Sequence, residues 1–273
     1  MMDAKELAKI LVEARKNGGA FAKFPTDIPK SLDYSYHVQD EAIKLYGDKI
    51  IGWKIGRLAP DLHDLHSTER LTGPIFECNF QKIAKTNEVN LFNGGFAAVE
   101  AEYVFEIAKD ADPSKIQYSQ EEAAQLINAI YAGIEMAGSP IFDINSYGPT
   151  VVASDFGNNF GLILGEKLGD IENADQLSVQ ECKKYNAQSF VDGLLVGKGG
   201  LFSMPNGPLA AIAWLAGHLA ERKMPLKKGQ LISSGASTGI HDVNIGQGAE
   251  VRFAVEDKIM CIFNIVTREF KPI

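Results

Sequence analysis

The sequence predicts an α+β protein in which a small helical N-terminal part packs on a larger β-rich body. Near the N-terminus, apolar residues recur at helical spacing, at Leu7, Ile10, Leu11 and Ala14. From Ile50 onward the chain changes to short β-like runs that glycine, proline and asparagine interrupt, with few helices between them. We therefore expect a helical subdomain over residues 1–50 that packs on a β-rich domain over residues 51–273.

The patterns place the individual elements in order along the chain. Helices are predicted over residues 1–16 and 40–45, on either side of a proline-containing link at residues 24–29. The apolar runs of the β-rich part predict strands over residues 50–55, 97–108, 150–156, 160–164, 190–196, 229–233, 249–255 and 260–266. Many strands with few helices favour an α+β fold over a doubly wound parallel sheet.

Two further helices are predicted within the β-rich part. Residues 120–131 form one, because Ser119 is a favourable cap and acids follow it in the first turn. Residues 208–222 form the other, where Pro208 stands near the first helical position and an apolar stripe follows.

The composition is that of an ordinary globular protein. Hydrophobic residues make up 45% of the chain and charged residues 23%, so disorder is not expected. The formal net charge of -8 argues against a general nucleic-acid binder, although a local lysine or arginine still allows an anionic substrate. We expect no membrane association, because no apolar run approaches the ~20 residues that cross a bilayer.

The cysteines and the N-terminus indicate a compartment. Cys78, Cys182 and Cys261 are widely spaced and form no CxxC motif, which fits reduced thiols that contribute to packing. The N-terminal helix lacks the apolar core of a secretory signal. We therefore expect a cytoplasmic protein.

The most informative stretch is VEAEYVF at residues 99–105, in which two acids are separated by one residue inside an apolar run. In a β-strand, side chains alternate between faces, so Glu100 and Glu102 point the same way and the apolar residues between them suit a packed core. Two neighbouring carboxylates repel each other unless water, a proton or a cation separates them. We favour a hard divalent ion such as Mg²⁺, Mn²⁺ or Ca²⁺. The alternative is a solvated sheet face with two ordinary acids.

A metal site needs a third carboxylate, and Glu135 is the best candidate. It stands in a stretch of small and apolar residues, where a buried acid requires a partner. The alternative is a strand-end carboxylate that backbone donors or a lysine satisfy. Glu106 shares the face of Glu102 but lies about 13 Å further along the strand, so it is expected to be a surface acid.

Two other segments offer groups that bind anions. In GWKIG at residues 52–56, Lys54 is flanked by glycines that permit close approach of a ligand, so it is able to supply a positive charge to a carboxylate or an enolate. The alternative is a lysine that extends from a strand edge into solvent. The loop at residues 232–239 (ISSGASTG) offers hydroxyls and backbone N–H groups for a substrate carboxylate, or is a plain polar turn.

Other catalytic classes find little support. The sequence has no GxSxG motif, and the glycines at residues 193–200 lack the strand–turn–helix context of a dinucleotide site. His63 and His66 are expected in a solvent-facing loop, and the remaining histidines are expected to be surface or packing residues: His37, His218 and His241.

Taken together, these stretches resemble the fumarylacetoacetate hydrolase superfamily, specifically the branch of the 2-keto-4-pentenoate hydratases and the oxalocrotonate decarboxylases. The resemblance covers most of the chain, from YHVQ at residues 36–39 to the last strand, and rests on the order and spacing of its motifs. These are GWKIG at 52–56, GPIF at 73–76, VEAE at 99–102, IE at 134–135, PLAAIAWLA at 208–216 and the run at 225–235.

The resemblance implies a fold, a cofactor and a set of site residues. The fold is a β-rich, fumarylacetoacetase C-terminal-like core, a mixed sheet or roll, with residues 51–273 as the catalytic domain. Mg²⁺ or Mn²⁺ is the implied cofactor, and its implied ligands are Glu100, Glu102 and Glu135. Lys54 is the implied catalytic and substrate-binding lysine. The implied substrate-binding hydroxyls are those of Ser237 and Thr238.

The resemblance also implies an activity. It is that of a divalent-metal-dependent lyase, a hydratase, which acts on a 2-hydroxydienoate or 2-oxo acid such as 2-keto-4-pentenoate through a metal-stabilised enolate. The nearest alternative is a 2-oxo acid decarboxylase of the oxalocrotonate type. A non-catalytic homologue that binds a small acid is an alternative of another class. The expected partners are a small anionic 2-oxo acid and further copies of the chain in a homo-oligomer.

The sequence departs from the family pattern at two places. Many hydratases carry an acid soon after the GPIF segment, a proton carrier, and Glu77 is the candidate here although its register differs by one residue. The hydroxyl-rich segment that is usual near Asp155 reads FGNN here, at residues 156–159. We therefore expect Glu77 as a catalytic residue and an altered substrate pocket.

Overall fold

The computed structural model describes residues 2–271, which form helices and two β-sheets. The helices are α1 (Ala4–Asn17), α2 (Leu32–Tyr46), α3 (His63–His66), α4 (Gln120–Ala124), α5 (Pro149–Ser154), α6 (Val179–Cys182) and α7 (Gly207–Glu221). The strands are β1 (Ile50–Arg57), β2 (Arg70–Phe76), β3 (Phe80–Lys82), β4 (Asn87–Leu91), β5 (Phe96–Ile107), β6 (Ile127–Ser139), β7 (Asn159–Asp170), β8 (Tyr185–Val191), β9 (Leu194–Gly200), β10 (Leu231–Ser233), β11 (Ile240–Asp242), β12 (Gly248–Val255) and β13 (Lys258–Glu269). Across residues 2–271, no helix combines the length and the apolar character needed to cross a membrane.

The larger sheet is mixed. Its strand order is β2-β1-β10-β5-β6-β7-β3, and β11 also pairs with β5. The pairs β1–β10 and β3–β7 are parallel, whereas β1–β2, β5–β6 and β6–β7 are antiparallel. The smaller sheet has the order β4-β13-β12-β8-β9. This mixed, β-rich arrangement confirms the predicted α+β class.

The main core contains residues of both sheets and of α7. β5 contributes its odd-numbered side chains, as the alternation predicted: Val99, Ala101, Tyr103, Phe105 and Ile107. β6 contributes alternate side chains in the same way: Ile130, Ala132, Ile134 and Met136. Because neighbouring side chains of a strand point to opposite faces, the even positions of β5 and the odd positions of β6 share the other face of the sheet. That face carries the candidate site.

The N-terminal helices belong to a second apolar cluster, in which Leu7 of α1 packs with residues of α2 and α5 such as Val38. Asp3 caps α1 by accepting the N–H groups of the first turn, and Gly18 ends the helix in the left-handed conformation. α2 begins at Leu32, well before the predicted start. The boundary of a helical subdomain at residue 50 stays a prediction, and Met1, the predicted start of α1, lies outside the described residues.

The helix predicted over residues 120–131 is wrong beyond its first turn. Ser119 does cap α4, which has the reciprocal bonds of a capping box with Glu122, but the helix ends at Ala124. Residues 127–139 form β6, because pairing with β5 and burial of alternate side chains outweigh the helical propensity of this segment.

Two predicted strands are also wrong. Residues 149–154 form α5, which begins at Pro149 and buries Val151 in the second apolar cluster. The run at 190–196 is not one strand, because it contains the end of β8, a two-residue turn and the start of β9. Asp192 and Gly193 both have positive φ, which is typical of a two-residue hairpin turn.

Candidate metal centre

Three glutamates meet on the face of the larger sheet opposite the main core. Glu100 and Glu102 lie on β5, and Glu135 lies on β6 as the direct cross-strand partner of Glu100. All three side chains are buried, and one oxygen of each lies within 4.8 Å of the others. Like charges directly opposite each other repel, so this cluster needs a proton or a positive charge to offset the repulsion.

Glu102 uses one of its oxygens for hydrogen bonds to the protein. Its Oε2 accepts from Oγ of Ser233 at 2.5 Å and from the backbone N–H of Gly235 at 2.9 Å. Gly235 has a φ of 119°, which an L side chain rarely adopts, so glycine is needed to present this N–H. The second oxygen, Oε1, is buried and makes no hydrogen bond to any of residues 2–271.

Glu135 divides its oxygens in the same way. Its Oε1 accepts from Nδ2 of Asn159 at 3.0 Å and lies 3.4 Å from Nζ of Lys54. Its Oε2 is buried without a hydrogen-bond partner in the described part of the chain. We call Oε1 of Glu102 and Oε2 of Glu135 the open oxygens. Buried acceptors without a partner are rare in native proteins, and a bound ion is one of the groups that satisfy them.

The pKa values of the clustered glutamates are raised, because the positive charge near them is small. Burial, with added repulsion from Glu135, raises the pKa of Glu100 to about 8, although Lys54 opposes this. Burial and the two neighbouring carboxylates raise the pKa of Glu102 well above its ordinary value. Burial acts to lower the pKa of Lys54, but the attraction of the three carboxylates outweighs burial and raises it. One ammonium thus faces three carboxylates.

This donor set fits a hard divalent cation. Carboxylate oxygens are preferred ligands of Mg²⁺ and Mn²⁺. The open oxygens provide two unused ligand atoms, and Glu100 provides a third carboxylate. Three carboxylates and the single ammonium of Lys54 leave two negative charges, which is the charge that a divalent cation neutralises.

A cavity of about 470 Å³ adjoins the cluster, and Glu100 and Lys54 form part of its wall. Arg57 and Arg70 also line it, as direct partners on β1 and β2. Arg70 is buried, and its pKa is lowered mainly by burial and further by Arg57. A cavity with three cationic side chains suits a small anionic ligand.

The hydroxyls that were predicted to bind substrate are engaged elsewhere. Oγ of Ser237 donates to the carbonyl of Ala101 at 2.7 Å, and the hydroxyl of Thr238 is bonded to that of Ser189 at 2.8 Å. The loop residues that line the cavity are Ser234, Gly235, Ala236 and Gly239, and not Ser237 or Thr238. The loop therefore lines the cavity, but these hydroxyls hold the loop to the neighbouring strands.

Glu77 lies away from the cluster. It begins a short 3₁₀ turn directly after β2, its side chain is 55% exposed, and its carboxylate pairs with Nζ of Lys49 at 2.7 Å. Because the strand ends at buried Phe76, the next side chain turns to solvent. This position gives no support to the proton transfer predicted for Glu77, which stays a prediction.

Two asparagines at the site were missed as functional residues. Asn159 donates to Glu135, and Oδ1 of Asn158 accepts from Nζ of Lys54 at 3.2 Å. Both follow Gly157 in the segment that departs from the family pattern. Asparagine directly after glycine is typical of left-handed backbone, and this signal was available in the sequence.

The sequence relatives of the chain are hydratases. The chain matches no family model. A 2-keto-4-pentenoate hydratase of Paraburkholderia xenovorans (strain LB400) is 26% identical over 238 residues, which are 85% of this chain and 84% of the relative. A TodF product hydratase of Pseudomonas putida is 26% identical over 261 residues, 92% of this chain and 91% of the relative.

Solved structures share the fold. A 4-oxalocrotonate decarboxylase from Pseudomonas putida G7, complexed with magnesium and adipate, matches over 97% of both chains with a TM-score of 0.73 at 19% identity. A fumarylpyruvate hydrolase from Pseudomonas aeruginosa, in complex with Mn²⁺ and pyruvate, matches 80% of this chain and 89% of its own with a TM-score of 0.53 at 13% identity. At these identities the likeness shows a common fold.

In sequence and in fold, the chain is similar to proteins of the fumarylacetoacetate hydrolase superfamily. The proteins that it resembles include 2-keto-4-pentenoate hydratases in sequence and a 4-oxalocrotonate decarboxylase in fold. The resemblance inferred from the sequence motifs is confirmed.

Proposed function

We propose that this protein is a divalent-metal-dependent lyase of the hydratase type, acting on a 2-hydroxydienoate or 2-oxo acid such as 2-keto-4-pentenoate. The observation that supports it most strongly is the buried cluster of three carboxylates, with two open oxygens, beside a cationic cavity. The reaction class comes from the hydratase relatives, which match 85–92% of the chain.

Glu100, Glu102 and Glu135 would hold the ion, Mg²⁺ or Mn²⁺, with the open oxygens among the ligand atoms. When bound, the ion supplies electrophilic stabilisation of the negative charge that develops on a 2-oxo acid. Ser233 and Gly235 fix Glu102 so that its other oxygen stays available.

Lys54 would bind and orient the acid. Its ammonium stays protonated because the surrounding carboxylates raise its pKa. An ammonium has three N–H donors, and Nζ contacts one acceptor on Glu135 and one on Asn158, which leaves a third donor for the substrate. Lys54 therefore acts as a fixed positive charge beside a carboxylate or enolate oxygen.

One observation favours a second candidate, a decarboxylase of the oxalocrotonate type. Arg57 and Arg70 are like charges directly opposite each other, an arrangement that an anion between them stabilises. Both arginines line the same cavity as Lys54. Cationic groups in addition to Lys54 suit a 2-oxo acid that carries a second carboxylate at its far end.

We also propose a homo-oligomer. β9 lies at the edge of the smaller sheet, and three consecutive apolar residues of this strand are exposed: Leu194, Leu195 and Val196. An exposed apolar edge strand is a common site of pairing between chains. Light scattering after size exclusion tests this, with Leu195→Lys expected to lower the mass.

Turnover assays distinguish the candidates. The protein is stripped with a chelator, reloaded with Mg²⁺, and supplied with 2-hydroxypenta-2,4-dienoate or with 2-oxohex-3-enedioate. Loss of the dienoate with water addition and no CO₂ supports the hydratase, whereas CO₂ release supports the decarboxylase. Tight Mg²⁺-dependent binding of oxalate without turnover of either acid would exclude both lyase activities and would indicate a non-catalytic protein that binds a small acid.

A further inference from the structure

A left-handed turn places two asparagines beside the metal centre. Phe156, Gly157 and Asn158 have consecutive φ values of 55°, 63° and 56°. Left-handed backbone at a bulky residue such as Phe156 is unfavourable and occurs mainly where a functional site requires it. A Cβ on Gly73 would lie 1.8 Å from the carbonyl oxygen of Phe156, so only glycine lets β2 support the turn this closely.

The N-terminal helix holds the same turn from its other side. Arg15 of α1 forms a two-pronged ion pair with Asp155, at 2.6 and 2.8 Å, and both side chains are almost completely buried. Nη1 of Arg15 also donates to the carbonyl of Asn159 at 2.9 Å. The residues immediately before and after the turn are therefore tied to one guanidinium.

Glu135 lies beside the ammonium of Lys54 and is also a candidate ligand of the divalent ion. Its Oε1 is 3.4 Å from Nζ of Lys54, while Nζ lies closer, at 3.2 Å, to Oδ1 of Asn158. Asn158 thus provides an alternative acceptor for the ammonium. A lysine that moved fully onto Glu135 would compete with a divalent ion for that carboxylate.

We propose that Asn158 and Asn159 are positioning residues that reserve Glu135 for the divalent ion. Asn159 fixes Oε1 and leaves the open oxygen Oε2 as a ligand atom, and Asn158 draws Lys54 away from the carboxylate. The inference rests on the proposed function only in that Glu135 binds a divalent ion.

Two substitutions test the pair without disturbing the backbone. Asn158→Gly removes the amide and keeps the left-handed conformation, and Asn159→Ala suits the extended φ of −66° at that position. Mn²⁺ binding is measured without substrate, by calorimetry and by the magnetic resonance signal of the free ion. Each variant is expected to bind Mn²⁺ about 10- to 100-fold more weakly. Asn87→Ala, at a buried asparagine bonded to Gln81, is the matched control and should bind as the unaltered protein does.

The same substitution made in the Lys54→Met protein separates a positioning role of Asn158 from a general disturbance of the site. Without the ammonium of Lys54, there is no cation for Asn158 to hold away from Glu135. Asn158→Gly should therefore leave the Mn²⁺ affinity of the Lys54→Met protein unchanged. Equal weakening by Asn158→Gly with and without Lys54 would overturn the proposal. Unaltered Mn²⁺ binding in both single variants would overturn it too, but would leave the proposed function standing. Failure of the unaltered protein to bind Mn²⁺ would remove both.

Discussion

Glu100 of β5 and Glu135 of β6 are direct cross-strand partners in a buried part of the sheet, an arrangement in which a proton or a positive charge must offset the repulsion of two carboxylates. Lys54 supplies part of that charge from β1, through its contact with Glu135. The negative charge that Lys54 does not neutralise, together with the open oxygens, is the physical basis for placing a divalent ion at this site.

Glu102→Gln is expected to abolish Mg²⁺-dependent turnover. The amide oxygen still accepts from Ser233 and Gly235, but one of the negative charges that attract the ion is lost. The stability of the metal-free protein, measured by urea unfolding, should not fall, because the substitution removes a buried charge that Glu100 and Glu135 repel. Glu106→Gln, further along the same face of β5 and bonded to Tyr131, should keep its turnover. An unchanged rate in Glu102→Gln would remove the ligand assignment.

Lys54→Met is expected to lower kcat about 100-fold, because the fixed charge beside the developing oxyanion is lost. Mn²⁺ binding should persist, since the carboxylates remain. Steady-state kinetics and calorimetry report the two effects separately. Lys49→Met, at an exposed lysine paired with Glu77, should change neither, and equal turnover in both variants would contradict the role given to Lys54.

Arg15→Met is expected to destabilise the protein by about 3–5 kcal/mol, because it leaves the buried carboxylate of Asp155 without its partner. Arg268→Met breaks an exposed pair with Glu88 and should cost no more than about 1 kcal/mol. Urea unfolding measures both. Similar values for the two variants would show that the buried pair contributes no more than a surface pair.

His218 is expected to contribute a loss of stability in mild acid. Its ring stacks on Trp214, and burial, aided by the charge of Arg222, lowers its pKa to about 3. Unfolded histidine binds a proton near pH 6.5, so the unfolded state is favoured as the pH falls below that value. From pH 7 to pH 5 this contributes a loss of about 2 kcal/mol. His218→Phe should lose correspondingly less free energy of unfolding between pH 7 and pH 5, whereas exposed His37→Gln should match the unaltered protein. An identical dependence of the free energy of unfolding on pH in all three proteins would contradict this.

Arg70→Met is expected to separate the two candidate substrates. Loss of a charged hydrogen bond should raise KM for a 2-oxo dicarboxylate at least about tenfold, while KM for the monocarboxylic dienoate changes little. Kinetics on both acids provide the comparison. An equal rise for both acids would show that Arg70 does not bind a second carboxylate.

The local part of the site was accessible from the sequence. Alternation along β5 predicts that Glu100 and Glu102 share a face, and the structure confirms this. The same alternation occurs in β6, from Ile130 to Met136. The favourable cap at Ser119 nevertheless led to a predicted helix that extends over the first residues of this strand.

The remaining features depend on contacts between distant segments. The register that sets Glu135 opposite Glu100 joins strands whose pairing the local pattern does not specify. The roles of Asn158 and Asn159 depend on a turn that β2 and α1 hold in place, over separations of up to 144 residues. Such positions follow from tertiary packing and not from local propensity.

The most direct measurement is anomalous diffraction from a crystal soaked with Mn²⁺ and oxalate. One peak is expected within coordination distance of Glu100 and of the open oxygens of Glu102 and Glu135. A peak elsewhere, or Nζ of Lys54 in that position without a metal peak, would contradict the assignment of these three glutamates as metal ligands.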